Sequence, residues 1–244
     1  MTTLVLLPGM DGTGTLFAPL LREFSSPVLT PQVVSYPSDR PLGYAELASH
    51  VAAALPRRGD YVLLGESFSG PVAATLAGRR PPRLRGLILA CSFVDSPLAA
   101  FSPLRYLTRL LPTPGPVLAP LGVLLMGRQS TPSLRQSLAA ALSTVDPAVL
   151  RHRAAEALVA NAGGSLAAAE CPVLYLQAAD DRVVPSRCAD AVRRLCPRAE
   201  VVRLPGPHFL LQTQPAAAAA CIERFVHRAR SAARPARART APRS

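Results

Sequence analysis

Val62-Leu63-Leu64-Gly65-Glu66-Ser67-Phe68-Ser69-Gly70 is the stretch on which the fold turns. An apolar run ends at a serine flanked by small residues, and a helix-compatible segment, Pro71 to Ala77, follows at once. Strand, sharp turn and helix in that order push one side chain out at the tip, the layout of a nucleophile elbow. The turn is tight, so the residues two before and two after the serine must be small, as Gly65 and Ser69 are. The bland reading of Ser67 is a helix N-cap. What favours a nucleophile is the rest of the chain.

Its expected partners follow in the order Asp, then His. Leu174-Tyr175-Leu176-Gln177 reads as a buried strand, followed by Ala178-Ala179-Asp180-Asp181-Arg182-Val183-Val184-Pro185. Val201-Val202-Arg203-Leu204 reads as another, followed by Pro205-Gly206-Pro207-His208-Phe209. An attacking serine needs a base for its proton, and the base needs a carboxylate to fix its tautomer and stabilise the imidazolium. Ser67, His208 and an acid from the Asp180–Asp181 loop can fill these roles. His50, His152 and His227 fall on predicted helices and read as surface or cap positions. An oxyanion hole needs backbone amides, one just after the nucleophile and one near the first strand. Phe68 N–H is the first candidate. Leu4-Val5-Leu6-Leu7 runs into Pro8-Gly9-Met10-Asp11-Gly12-Thr13-Gly14, where Met10 N–H is the second and glycines allow close backbone approach.

With these residues in place, the chain resembles the α/β-hydrolase superfamily from Leu4 to about Val226. Pro8-Gly9-Met10-Asp11-Gly12 stands where that family has His-Gly-x-x-Gly. Asp181-Arg182-Val183-Val184-Pro185 is similar to its Asp-x-x-Val-Pro acid loop, which favours Asp181 over Asp180. Gly206-Pro207-His208-Phe209 is similar to its histidine loop. Asp95, after the strand Leu87–Ala90, is a third candidate, because relocated acids occur in this fold. Two departures stand out: Pro8 replaces the histidine, and Ser69 replaces the usual glycine. The resemblance implies a cofactor-free serine hydrolase, with Ser67, Asp181 and His208 catalytic and the Met10 and Phe68 amides holding the oxyanion. Its substrate would be a small-molecule ester or thioester. Two other readings stay open: carbon–carbon hydrolysis or a lyase reaction on the same triad, and a hydrolase-like binding domain without activity. Asp11 and Thr13 read as turn residues, Glu66 as a carboxylate paired with a nearby donor, and Phe209 as packing.

The organisation agrees. Six apolar runs are expected as parallel strands: Thr3–Leu7, Gln32–Ser35, Tyr61–Leu64, Leu87–Ala90, Val173–Gln177 and Glu200–Leu204. Helical segments are expected at Leu16–Phe24, Tyr44–Ala54, Gly70–Ala77, Ser186–Leu195 and Pro215–Ala229. Alternation of this kind predicts an open, mostly parallel α/β sheet with helices on both faces and its site beyond the carboxyl ends of the strands. The alternation breaks at 95–170, where Leu-rich segments are split by prolines. A helical cap inserted into the core of 1–94 and 171–228 is the expectation. Within the cap, Val117–Met126 and Leu134–Leu142 are apolar enough to line an acyl site or to pack cap on body.

Composition limits the rest. Hydrophobic residues make up 49%, ample for a core, while aromatics are 5% and Trp is absent, so Leu, Val and Ala must fill it. Net charge is +12, yet every basic residue is Arg, as GC-rich codon usage would give. Half of that charge is six arginines from Arg228 onward, and the Arg-Ala-Pro-Ser stretch 229–244 is expected to be a disordered tail. Arginines without aromatics do not make a nucleic-acid surface. The five cysteines are odd in number and lack C-x-x-C spacing, so a reducing, cytoplasmic setting is expected. No metal-ligand spacing, nucleotide-loop spacing, secretory leader or spanning segment is read, so no metal, no cofactor and no stable membrane insertion are expected.

Overall fold

The computed structural model describes residues 1–110 and 114–232, by backbone alone at 109, 110, 114–119 and 232. Six strands form one wholly parallel sheet: β1 (Thr2–Leu7), β2 (Leu29–Val33), β3 (Asp60–Glu66), β4 (Leu84–Ala90), β5 (Val173–Ala178) and β6 (Glu200–Leu204), in the order β2-β1-β3-β4-β5-β6. The order reverses at β1, so the chain winds outward both ways and leaves a crevice at the carboxyl ends of β1 and β3.

Successive strand residues point to opposite faces, so each apolar run feeds two cores. Val5, Leu7, Leu63, Leu87 and Tyr175 pack against α2 (Tyr44–Ala54), α3 (Gly70–Gly78) and α8 (Arg187–Leu195). Leu4, Leu6, Val62, Leu64, Ile88 and Leu176 pack against α1 (Ala18–Glu23), α9 (Leu210–Thr213) and α10 (Pro215–Ala232). The loops that follow β1, β3, β5 and β6 carry the candidate site residues.

Between β4 and β5 every regular element is helical: a 3-10 segment (Ala99–Leu110), α4 (Pro114–Met126), a 3-10 turn (Gly127–Gln129), α5 (Pro132–Ser143), α6 (Pro147–Leu158) and α7 (Gly163–Ala167). Prolines that punctuate this stretch start helices here. Pro132 and Pro147 occupy first-turn positions, where a missing N–H leaves nothing unpaired. Thr131 and Asp146 cap the same helices, accepting from Leu134 N at 3.1 Å and Ala148 N at 2.7 Å. α7 returns the chain to the body: Leu166 sits in the core beside α3 and α8. Met126, Leu138, Ala141 and Leu142 pack with Leu16 and Phe209, seating α4 and α5 on the body. The side chains of Val117–Ala119 lie outside the described residues.

Some expected bounds shift. β2 spans Leu29–Val33 rather than 32–35, and includes Pro31. It is an edge strand, so Pro31 need not donate to a second neighbour. The first helix is divided into a 3-10 turn, Thr15–Phe17, and α1, with Pro19 in its first turn. α10 runs three residues past its expected end, to Ala232, and the remainder of the expected tail, 233–244, lies outside the described residues.

Candidate active site

β3 delivers Ser67 at the top of the sheet. Its φ is +48°, a left-handed conformation that costs a non-glycine residue roughly 1–3 kcal/mol and occurs where packing enforces it. The enforcement is local. A Cβ on Gly65 would lie 2.7 Å from Ser69 O and 2.9 Å from Ala73 Cβ. A Cβ on Gly70 would lie 2.0 Å from Ser92 Oγ and 2.2 Å from Phe93 O. β3 and α3, and α3 and the segment after β4, can therefore approach this closely only with glycine at the two places. Phe68, fully buried, stacks on Tyr44 at 4.9 Å and meets Tyr36 edge-on at 6.5 Å, which fixes the backbone just after the serine.

Two loops from the far side of the sheet close on Ser67. The loop after β6 brings His208, and the loop after β5 brings Asp181. Asp180 N donates to Gly206 O at 2.9 Å, tying them together. Ser67 Oγ lies 2.8 Å from His208 Nε2, and His208 Nδ1 lies 2.9 Å from Asp181 Oδ2. A ring nitrogen facing a carboxylate carries the proton and donates, which leaves Nε2 to accept from the serine hydroxyl. The His208 and Asp181 side chains are about 95% buried, at 4% and 5% exposure. Asp181 Oδ1 also accepts from Val183 N and Val184 N, both at 2.8 Å, so the carboxylate is aimed by its own loop. Of the three acids considered, Asp181 is the one brought to His208. Asp180 is exposed, and Asp95 accepts from Ala162 N at 3.0 Å and Gly163 N at 2.8 Å at the entrance to α7.

The loop after β1 arches over the serine. Gly12 N donates to Gly9 O at 3.0 Å, closing a turn around Met10 and Asp11. Met10 is 38% exposed at its crest. Asp11 Oδ1 accepts from Thr13 N at 2.9 Å and from Thr13 Oγ1 at 2.5 Å, an Asx turn that holds the loop. The two departures from the family pattern meet here. Tyr36 OH donates to Ser69 Oγ at 2.5 Å, and Ser69 Oγ donates to the carbonyl of Pro8. Burial holds the Tyr36 phenol far above its ordinary pKa, so it stays a neutral donor.

Glu66 lies under the same loop. Gln212 Nε2 donates to its Oε1 at 2.8 Å, and Gly9 N–H supports it from above. Burial dominates, and Asp11 adds repulsion, so the carboxyl is pushed up to about 7. Arg153, 1% exposed, descends from α6 onto the loop, with Nη1 donating to Met10 O at 2.9 Å and Asp11 O at 2.8 Å. Its Nη2 donates to Pro37 O at 2.8 Å.

Tyr36, Gln212 and Arg153 were not singled out in the sequence. The separations concerned, 143 residues for Arg153 to Met10 and 146 for Gln212 to Glu66, leave no local pattern, and one arginine among many carries no mark. Among the described residues no group of three His, Cys, Asp or Glu side chains could hold a metal ion, and no helix is long and apolar enough to cross a membrane.

Comparison with known proteins gives a consistent result. The chain is similar in structure to a lipase-esterase related protein from Clostridium acetobutylicum (TM-score 0.76, 15% identity, 92% of this chain and 94% of that one). It is also similar to the enol-lactonase of Burkholderia xenovorans (0.79, 13%, 93% and 91%). A third similar structure comes from work on carboxylesterases of the ammonia-oxidizing thaumarchaeon Nitrososphaera gargenis (0.79, 13%, 95% and 92%). At these identities the likeness is one of fold. No curated protein sequence matches. The family model for the alpha/beta hydrolase family matches residues 4–220, most of the chain, and the chain therefore belongs to the alpha/beta hydrolase family.

Proposed function

We propose that the protein is a cofactor-free serine hydrolase that cleaves a carboxylic ester or thioester of a small molecule through an acyl-enzyme. The observation that carries this reading is the buried chain Ser67 Oγ, His208 Nε2, His208 Nδ1, Asp181. His208 takes the proton of Ser67 Oγ as the oxygen attacks the carbonyl carbon. The Met10 and Phe68 amides hold the resulting oxyanion, and Asp181 stabilises the imidazolium. His208 then gives its proton to the departing alcohol or thiol. Water attacks the acyl-enzyme by the same steps in reverse and releases the acid and free Ser67. The esterase and lactonase names among the similar structures support acyl chemistry without fixing the acyl group. A reducing, cytoplasmic setting goes with this reading, since all five cysteines are free thiols.

The test is labelling with a fluorophosphonate, wild type against Ser67→Ala, followed by p-nitrophenyl esters of increasing chain length. Labelling and turnover in the wild type, both lost in Ser67→Ala, are expected. A folded wild type that neither labels nor forms an acyl-enzyme would move the assignment to a lyase or a binding domain.

A further inference from the structure

We propose that Arg153, carried by α6, is a positioning residue for the oxyanion loop, so that the seated cap completes the hole. The inference rests on the hydrolase reading above.

The loop's peptides are held one by one. Pro8 O accepts from Ser69 Oγ. Gly9 N–H supports the Glu66 carboxyl. Gly9 O accepts from Gly12 N at 3.0 Å. Gly9 O and Met10 N–H belong to one planar peptide, so binding the oxygen on one side fixes where the N–H points on the other. The next two carbonyls are Met10 O and Asp11 O. Both go to Arg153 Nη1, at 2.9 and 2.8 Å. Asp11 O and Gly12 N–H belong to one peptide, so the guanidinium that holds Asp11 O also aims the Gly12 N–H at Gly9 O, and through that bond it holds the peptide that carries the Met10 amide. Pro37 O takes Nη2, and Tyr36 N donates to Gly12 O at 2.8 Å, so the same fork joins the loop to the segment after β2.

The site is built for this cation. A Cβ on Gly12 would lie 2.4 Å from Arg153 Nη1, so a side chain there would expel the guanidinium, and the φ of +71° already favours glycine. The guanidinium carbon lies 5.7 Å from the Tyr36 ring centre, and Asp11 and Tyr36 attract its charge. A planar fork can bond several carbonyls at once, which a lysine ammonium on a flexible stem cannot reproduce with the same geometry.

Were Arg153 only an adhesive between cap and body, its loss would lower stability and disturb substrate binding and turnover alike. A positioning role has a different signature. Arg153→Met and Arg153→Lys would be compared with wild type for kcat and KM on a p-nitrophenyl ester. Inhibition by an alkyl boronic acid, whose adduct with Ser67 is tetrahedral and anionic, would be measured alongside inhibition by the matching uncharged primary alcohol. For Arg153→Met we expect kcat to fall about 100-fold with KM within about 3-fold. Boronate affinity should fall in parallel, alcohol inhibition should hold, and the pH at which kcat rises should stay put. Arg153→Lys, which keeps the charge and most of the volume, should fall between the two. A folded Arg153→Met or Arg153→Lys with kcat and boronate affinity unchanged, or with alcohol and boronate affinity lost equally, would overturn the proposal. Absence of fluorophosphonate labelling in the wild type would instead overturn the hydrolase reading itself.

Discussion

Ser69 shows how much one hydroxyl can do. It stands where glycine is usual, is wholly buried, and links Tyr36 to the carbonyl of Pro8. Ser69→Gly would restore the family's motif yet leave the Tyr36 phenol and Pro8 O without partners, costing about 1–3 kcal/mol by denaturant titration. At Asp181, replacement by Asn should lower kcat about 10⁴-fold with little change in melting temperature, because the tautomer of His208 would be lost. Asp95→Asn should leave kcat within about 3-fold, since that side chain caps α7 amides. Glu66 makes a pH prediction. Its carboxyl ionises near 4.5 when unfolded and at about 7 when folded, so the folded state holds the extra proton between these values. The stabilisation is full below pH 4.5 and is lost as pH rises through 7, a change on the order of 3 kcal/mol. The stability difference between wild type and Glu66→Gln, followed from pH 4 to about 8 by urea unfolding, should trace that loss. A flat difference would mean that the Glu66 carboxyl titrates alike in the folded and unfolded chain.

Elements were more legible in the sequence than the contacts between them. Strand-turn-helix at Ser67, and the Asp181 and His208 loops, are local patterns, so residue type and spacing revealed them. β2 was displaced because Val33-Val34 attracts a strand assignment and Pro31 repels one, although an edge position removes that objection. The prolines of the cap read as breaks and serve as first-turn residues instead, because a sequence does not show which side of a proline continues as helix. The close approach of α3 to β4 was also hidden. Gly70→Ala should be strongly destabilising, by about 3 kcal/mol or more, since the added carbon would strike Phe93 O, which is backbone and cannot turn aside. The melting temperature of that variant checks it.

Across the whole molecule, a sheet buried on both faces forms the frame, and the candidate site lies beyond the carboxyl ends of its strands. β3 and β1 supply the serine and the arching loop, while β5 and β6, on the other side of β4, supply the carboxylate and the base. Arg153, Tyr36 and Gln212 were invisible from sequence for one reason: each acts through a partner that only the folded sheet and the seated cap bring near.

That arrangement has a consequence for the protein's birth on the ribosome. Translation produces Ser67 and the Pro8–Gly12 loop early, but Asp181 and His208 only after the cap has been made. A nascent chain that has emerged as far as residue 170 holds an ordinary alcohol rather than an activated one. Chains stalled there should resist fluorophosphonate, and reactivity should begin once the segment through Thr213 has left the exit tunnel, so the nucleophile is armed last.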